Sequence, residues 1–297
     1  MALLVSVVVP TCGRPDLLQR CLAALDRQTL ARGQYEVIVA DDTQLRSGPA
    51  AARNRGWRKA RAPIVAFTDD DTVPAHDWLA AGRTAIAQGA DAVAGKVDVP
   101  LPAVPTDYER DAAGLSHAMF VTANCFVRRD LLAAIGGFDE RFRCAWREDT
   151  DLCFRLRASG AVVRSSRAAR VVHPVRPARW GVSLAQQRKV MFDALLYKKF
   201  PYGYRRYIRR RPPWEYYAAV AAGICTLVNA FGGVRPLAVA SLVVWIAMGV
   251  AFAKRRLADT SHAPSHVAEM VVTSFLIPWL SVYWRARGAL RFRVPFV

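Results

Sequence analysis

Across the first 170 residues, short apolar runs alternate with stretches in which apolar positions recur every three or four residues. Residues 4–9 (LVSVVV) predict a strand, and residues 15–27 a helix with Leu17, Leu18, Cys21, Leu22 and Leu25 on one face. Residues 37–40 predict a second strand, running into Asp41-Asp42, and a helix is expected over about 49–60. The β-rich run 64–68, bounded by Pro63, predicts a third strand that ends in three carboxylates, Asp69, Asp70 and Asp71. A helix over 78–88, strands over 92–99 and 120–127, a helix over 148–159 stopped by Gly160, and a strand over 171–173 complete the series. Alternating β and α units predict an α/β fold with a mostly parallel sheet and helices on both faces.

The pattern changes after residue 198. Residues 198–211 (KKFPYGYRRYIRRR) are basic with interleaved tyrosine, and two uncharged stretches follow, 216–231 and 236–253. Gly232, Gly233 and Arg235 form the turn between them, and Lys254, Arg255 and Arg256 close the pair. Each stretch is near the lower limit for spanning a bilayer. Basic clusters on both outer flanks, with Trp214, Tyr216 and Tyr217 at one end, predict a membrane hairpin whose ends are cytoplasmic. Residues 267–284 are apolar too, but they contain Glu269 and Pro278 and lead into Arg285, Arg287, Arg291 and Arg293, so an interfacial helix is expected there. The expected organisation is a catalytic domain over 1–200, a basic juxtamembrane linker over 201–213, a helical hairpin over 214–256, and an interfacial helix with a basic tail over 257–297.

Charge sharpens this division. Residues 1–150 carry 18 Lys/Arg against 19 Asp/Glu, whereas residues 151–297 carry 24 against 5. Basic charge beside apolar segments points to an anionic membrane surface, and no helix-turn-helix, zinc-finger or RNP pattern supports a nucleic-acid partner. Six scattered cysteines without a CxxC pair argue against a zinc site or disulfide framework and fit reduced thiols. The N-terminal apolar run lacks a basic flank and a small-residue cleavage site, so no cleavable signal peptide is expected.

The candidate chemistry lies at strand ends. Three adjacent anions repel one another, and a divalent cation carrying a phosphorylated ligand would relieve that cost. Residues two apart in an extended segment point the same way, so Asp69 and Asp71 can serve one ion while Asp70 faces elsewhere and supports the loop. Asp41-Asp42 can accept hydrogen bonds from a base or ribose. In GPAAARNRG (48–56), small residues allow a ligand to approach, and Arg53 can pair with phosphate or base. Phe138, in GGFDE (136–140), can plug the core, and Glu148-Asp149 open a helix where a carboxylate can take a proton from an attacking hydroxyl.

With VSVVVPT (5–11), VIVADD (37–42), ARN (52–54), FTDDD (67–71), GGFDE (136–140) and EDTDL (148–152) in this order, the chain resembles the family 2 inverting glycosyltransferases over about residues 1–200. The resemblance implies a GT-A fold with a Rossmann-like mixed sheet and a nucleotide-sugar donor, expected to be UDP-linked. It implies Thr11 and a carboxylate of Asp41-Asp42 at the nucleobase, Arg53 nearby, Asp69 and Asp71 as the DxD pair, Asp71 on Mg²⁺ or Mn²⁺, and Asp149 as the catalytic base. His173 matches a metal-binding histidine of some members, and Trp146, Glu148 and Asn124 are expected on the acceptor side. Processive synthases of this family carry Gln-x-x-Arg-Trp, whereas residues 186–189 read QQRK, so transfer of one sugar is expected. The expected acceptor is a hydroxyl of a lipid-linked or cell-surface glycan at the cytoplasmic face of the inner membrane, and a homo-oligomer is compatible with this. A polyprenyl-phosphate glycosyltransferase and a non-catalytic membrane scaffold of the same fold are the alternatives.

Overall fold

The apolar run Ile64–Thr68 forms a fully buried strand, and the sheet is built around it. The computed structural model describes residues 2–296. In chain order the elements are β1 (Val5–Thr11), α1 (Pro15–Leu25), β2 (Tyr35–Asp41), α2 (Pro49–Trp57), β3 (Ile64–Thr68), β4 (Val73–Pro74), α3 (Trp78–Ala87), β5 (Ala92–Asp98), α4 (Asp107–Ala112), β6 (Asn124–Arg128), α5 (Arg129–Ala134), α6 (Glu148–Ala158) and β7 (Val163–Val172). Helices α7 (Val182–Gln186), α8 (Met191–Lys199), α9 (Pro201–Tyr207), α10 (Trp214–Phe231), α11 (Arg235–Leu257) and α12 (Pro264–Phe292) follow.

Two compact units result. Met1–Pro100 with Ala112–Val175 form one, and Leu101–Asp111 with Arg176–Val297 form the other. The first unit holds a seven-stranded sheet in the order β2-β1-β3-β6-β5-β7-β4 among the described residues. The mostly parallel sheet expected from the α/β alternation is instead mixed. β1 runs parallel to β2 and β3, and β5 to β7, but β6 runs antiparallel to both β3 and β5, and β4 antiparallel to β7. Apolar packing covers both faces, with Val5, Val7, Trp78 and Phe126 on one side and Val8, Phe67, Phe138 and Leu152 on the other. This is the GT-A architecture.

Helix α2 lies flush on β1. A Cβ at Gly56 would come 2.3 Å from Val8 Cγ1, so only glycine permits the approach. At the helix start, Gly48 has φ 98°, and a Cβ there would meet the Arg143 carbonyl oxygen at 2.6 Å. These two contacts fix how far α2 sinks and carry Arg53 into the interior.

In the second unit, α10 and α11 are consecutive helices that pack on one another, joined by a turn in which Gly233 has φ 78°. Among the described residues, α11 and α12 are long and apolar enough to cross a membrane by length and composition. The first arm of the expected hairpin, α10, is not: its 18 residues span about 27 Å and include Glu215, two tyrosines and Asn229. Only 11% of the apolar stretch of α11 is buried, against 33% for α12. Leu237, Val239 and Val243 of α11, and Phe231 at the end of α10, are exposed.

One member of the expected basic flank turns inward. Arg256 is buried, with Nε and Nη2 donating to Asp107 Oδ2 at 3.1 and 2.8 Å and Nη1 donating to Thr273 Oγ1 at 2.6 Å. A buried guanidinium needs such partners, because an unpaired charge there is very costly.

Candidate active site

The ends of β1, β3 and β7 bring the acidic residues together. Asp69, Asp71 and His173 each offer a ligand atom, and these atoms lie within 4.8 Å of one another. His173 Nε2 is 3.5 Å from Asp71 Oδ1, and the His173 backbone N–H donates to the Asp98 carbonyl at 2.8 Å, which holds it beside the end of β5. Two carboxylates and one imidazole make an oxygen–nitrogen donor set that suits Mn²⁺ and, less well, Mg²⁺. The residues therefore fit a divalent ion.

Asp70 faces away from this cluster, but not by the alternation of an extended segment: β3 ends at Thr68, and residues 70 and 71 form a turn in which the Thr72 N–H donates to the Asp69 carbonyl at 3.2 Å. It is fully buried, accepts from Thr11 Oγ1 at 2.7 Å, and lies 2.9 Å from Arg14 Nη2. Burial pushes its pKa up, against the pull of Thr11 and Arg14. The charge of the triplet is thus offset from within the protein: Asp69 by Arg53, Asp70 by Arg14, and Asp71 by Arg14 at 3.8 Å. Two arginines, Arg14 and Arg53, rather than bare repulsion, surround the three carboxylates.

Arg53 is the centre of the second half of the site. Its Nη2 donates to Asp69 Oδ1 at 2.7 Å and its Nη1 to Glu148 Oε1 at 3.1 Å. Burial lowers its pKa, but the two anions outweigh this and hold it above the ordinary value. Its Nε is buried with no hydrogen-bond partner among the described residues, a spare donor at a site expected to meet a ligand. Asn54 next to it stitches α2 to the GGFDE loop: its Nδ2 donates to the Phe138 carbonyl and to Glu140 Oε1, and its Oδ1 accepts from Phe138 N–H and Trp57 Nε1. Phe138 plugs the core edge-on against Phe67, with ring centroids 5.2 Å apart.

Helix α6 begins at Glu148, directly after Arg147, whose φ of 73° is left-handed and costly for a side chain of this kind. The carboxylates in its first turn complement the helix dipole. Glu148 is buried; burial and the neighbouring Asp149 charge push its pKa up to about 7, despite Arg53. Asp149 is half-buried, and burial raises its pKa too, opposed by the Thr150 backbone N–H, which donates to Oδ1 at 2.6 Å, and by Arg147. Of the two, Asp149 is the one accessible to a ligand. Trp146 is half-buried, with the Arg147 guanidinium 4.3 Å from its ring centre.

Several expected site residues have other work here. Glu148, expected on the acceptor side, is committed to Arg53. Asn124 is fully buried; its Oδ1 accepts from Trp78 Nε1, and its Nδ2 donates to the Lys96 and Ala169 carbonyls, all at 2.8 Å. It braces the sheet from inside rather than lining a cleft. Asp42 is buried and takes Ser47 Oγ at 2.5 Å, Gly48 N–H at 2.8 Å and Arg55 Nη2 at 2.6 Å. Burial would raise its pKa, yet these bonds hold it below the usual carboxylate range. Asp41 is the exposed member of that pair and accepts from Thr43 Oγ1 at 2.5 Å. Arg14 was not anticipated; a single arginine in the loop after β1 carries no signal until Asp70 is seen to turn toward it.

Residues 43–145 match the family model described as Glycosyl transferase family 2. Glycosyltransferase AglE of Haloferax volcanii is 28% identical over 222 residues, covering 63% of this chain and 71% of that protein. Among solved structures, the mannosyltransferase PcManGT from Pyrobaculum calidifontis, in complex with GDP-Man and Mn²⁺, superposes with a TM-score of 0.56 at 18% identity, covering 96% of this chain and 88% of that one. TarS 1-349 of S. aureus, in complex with UDP-GlcNAc, superposes with a TM-score of 0.51 at 15% identity, covering 98% and 93%. At those identities the two structures speak for the fold.

Proposed function

We propose that the chain is a family 2 glycosyltransferase that moves a single sugar, with inversion, from a UDP-sugar to a hydroxyl of a lipid-linked or cell-surface glycan. The observation that carries this reading is the Arg53 bridge. One guanidinium ties Asp69, in the cluster that suits a divalent ion, to Glu148, the residue beside Asp149. Donor-side and acceptor-side groups are thereby held in one rigid arrangement, which is what orientation in a displacement requires.

In this reading Asp69, Asp71 and His173 hold Mn²⁺ or Mg²⁺. Bound there, the ion would supply Lewis-acid neutralisation of the departing nucleoside diphosphate. Asp149 accepts the proton of the acceptor hydroxyl, and its raised pKa suits that task near neutral pH. Glu148 and Arg53 position that helix end. Trp146 contributes an aromatic face to the acceptor side, and Asp41, open to solvent, reaches the nucleobase. The neighbours named above bind GDP-Man and UDP-GlcNAc, so both nucleotides belong in the test, with UDP as the expectation. Absence of Gln-x-x-Arg-Trp at 186–189 supports single transfer.

The proposed location is the cytoplasmic face of the inner membrane. Exposed apolar residues on α11, two helices of spanning length, and the basic excess of residues 151–297 support it. A screen of nucleoside diphosphate-sugars with Mn²⁺ and with Mg²⁺, with and without lipid extract, reads out nucleotide release. UDP-sugar turnover that depends on the ion and rises with lipid extract is expected. Lack of binding and turnover with every donor would overturn the reading.

A further inference from the structure

Arg14 and Asp70 lie beside the proposed ion site yet have no part in it. Arg14 stands directly before α1, at the end of the loop that follows β1. Its Nη2 is 2.9 Å from Asp70 Oδ1, and the other Asp70 oxygen accepts from Thr11 Oγ1 at 2.7 Å. A carboxylate is costly to bury, and the nearby Arg14 guanidinium offsets that cost as an ion pair.

The remaining edge is not so committed. Nη1 stands 3.8 Å from Asp71 Oδ2, beyond hydrogen-bond reach, while Nε is buried and has no hydrogen-bond partner among the described residues. About a third of the side chain is open to solvent, 32% against 3% for Arg53. A guanidinium held on one side by a buried carboxylate, with Nη1 outside hydrogen-bond reach of its nearest acid, can give a charge-assisted hydrogen bond to a phosphate oxygen. The need for such a group is electrostatic. A diphosphate arriving beside Asp69 and Asp71 adds negative charge to a site where both Nη atoms of Arg53 are already committed to carboxylates.

We propose that Arg14 is a donor-binding residue whose Nη1 takes an oxygen of the donor's diphosphate, with Asp70 and Thr11 setting its place. This rests on the nucleotide-sugar reading above. It gives Asp70 a role distinct from ion binding, and it gives Thr11 an effect on the donor that passes through Asp70 and Arg14.

The test uses the purified full chain with saturating Mn²⁺, titrated with UDP by calorimetry and with uridine by ligand-observed NMR. Arg14→Ala is expected to weaken UDP about tenfold to a hundredfold, the usual range for a lost charged hydrogen bond, and to leave uridine unchanged. Arg14→Lys, which keeps the charge but loses the fork, should fall between, and Asp70→Asn should weaken UDP by a smaller factor than Arg14→Ala. Mn²⁺ affinity of the nucleotide-free protein should not fall in Arg14→Ala. Wild-type UDP affinity in Arg14→Ala, whatever its melting temperature, would overturn the proposal and leave Arg14 as a counter-ion of Asp70. Equal loss of uridine and UDP would overturn it as well. If the wild type binds no UDP while GDP binds, the titration is run with GDP and guanosine. If the wild type binds neither diphosphate, the donor reading falls, and this inference with it.

Discussion

Arg53 and Glu148 are 95 residues apart in the chain and form a buried ion pair with 3.1 Å between Nη1 and Oε1. The partner element on each side is short and well fixed: α2 by its glycine contacts with β1, and α6 by its start at a left-handed residue. Removing one member leaves an uncompensated charge in the interior. Arg53→Met should therefore cost about 3–5 kcal/mol, read as a lower urea midpoint. The double variant Arg53→Met with Glu148→Met should recover part of that loss. A purely additive result in the double-mutant cycle would show that the pair is not coupled.

The same pair sets a pH dependence. Glu148 titrates at about 7 in the folded protein, above its ordinary carboxylate value, so the native state binds more protons than the unfolded chain between the two. Its contribution to stability is full below the unfolded value and is lost as pH rises toward 7. Glu148→Gln removes that titration, so the variant's stability relative to wild type should climb across that window, as followed by thermal melts from acid to neutral pH.

Asp149→Asn is expected to lower kcat by about 10²–10⁴, the usual contribution of a general base, with donor affinity retained. The acid limb of kcat/KM in the wild type should lie above the ordinary aspartate range, because burial raises the Asp149 pKa. Glu148→Gln takes away a neighbouring negative charge and should move that limb toward acid. The apparent value belongs to the pair and not to either residue alone. A limb at the ordinary aspartate value would remove Asp149 from the role of a buried base.

For the ion cluster, Mn²⁺ binding followed by electron paramagnetic resonance should separate the triplet. Asp71→Asn and His173→Ala should lose at least the tenfold to hundredfold that even an outer partner of a metal contributes. Asp70→Asn should bind Mn²⁺ nearly as well as wild type, because its carboxylate faces Thr11 and Arg14. Equal losses in all three variants would contradict the division of the triplet.

Replacing the outward Leu237, Val239 and Val243 by serine removes three exposed apolar side chains from α11. Each contributes about 1.5–3 kcal/mol when fully transferred from water. Co-sedimentation with anionic lipid vesicles should fall sharply in the triple variant and fall only in part with salt in the wild type. Wild-type protein that stays in the supernatant at every salt concentration would end the membrane reading.

The strand β3 was legible to the residue because a buried central strand is apolar at every position and its end is marked by acids. β7 was not. Its sequence, VRSSRAARVV, buries only Ala169 and Val171 and leaves arginines on the other face, so just its last residues looked like a strand. The run 120–127 misled in the opposite way: Phe120 and Val121 are apolar because they pack under the sheet, yet the strand begins only at Asn124. Motif residues were visible where chemistry restricts the residue type, as with Asp69, Asp71 and Asp149. The side-chain commitments of Glu148 and Asn124 depend on partners 28 to 95 residues away, which local pattern does not carry. Arg14 escaped for that same reason.

The excursion of Leu101–Asp111 into the helical unit has a consequence for the order in which the protein can be assembled. Asp107 is made 149 residues before Arg256, its partner at 2.8 Å. At the ribosome's pace of roughly 5–20 residues per second, the loop waits about 7–30 s for that arginine. The Pro105 carbonyl likewise waits for the Ser261 N–H that donates to it at 2.8 Å. β5 and β6, on either side of the loop, can pair long before then, so the sheet closes around a segment that is still without its seat. Chains cut before α11 would carry that segment permanently undocked, with Asp107 left to its neighbour Arg110 and without Arg256 to receive it.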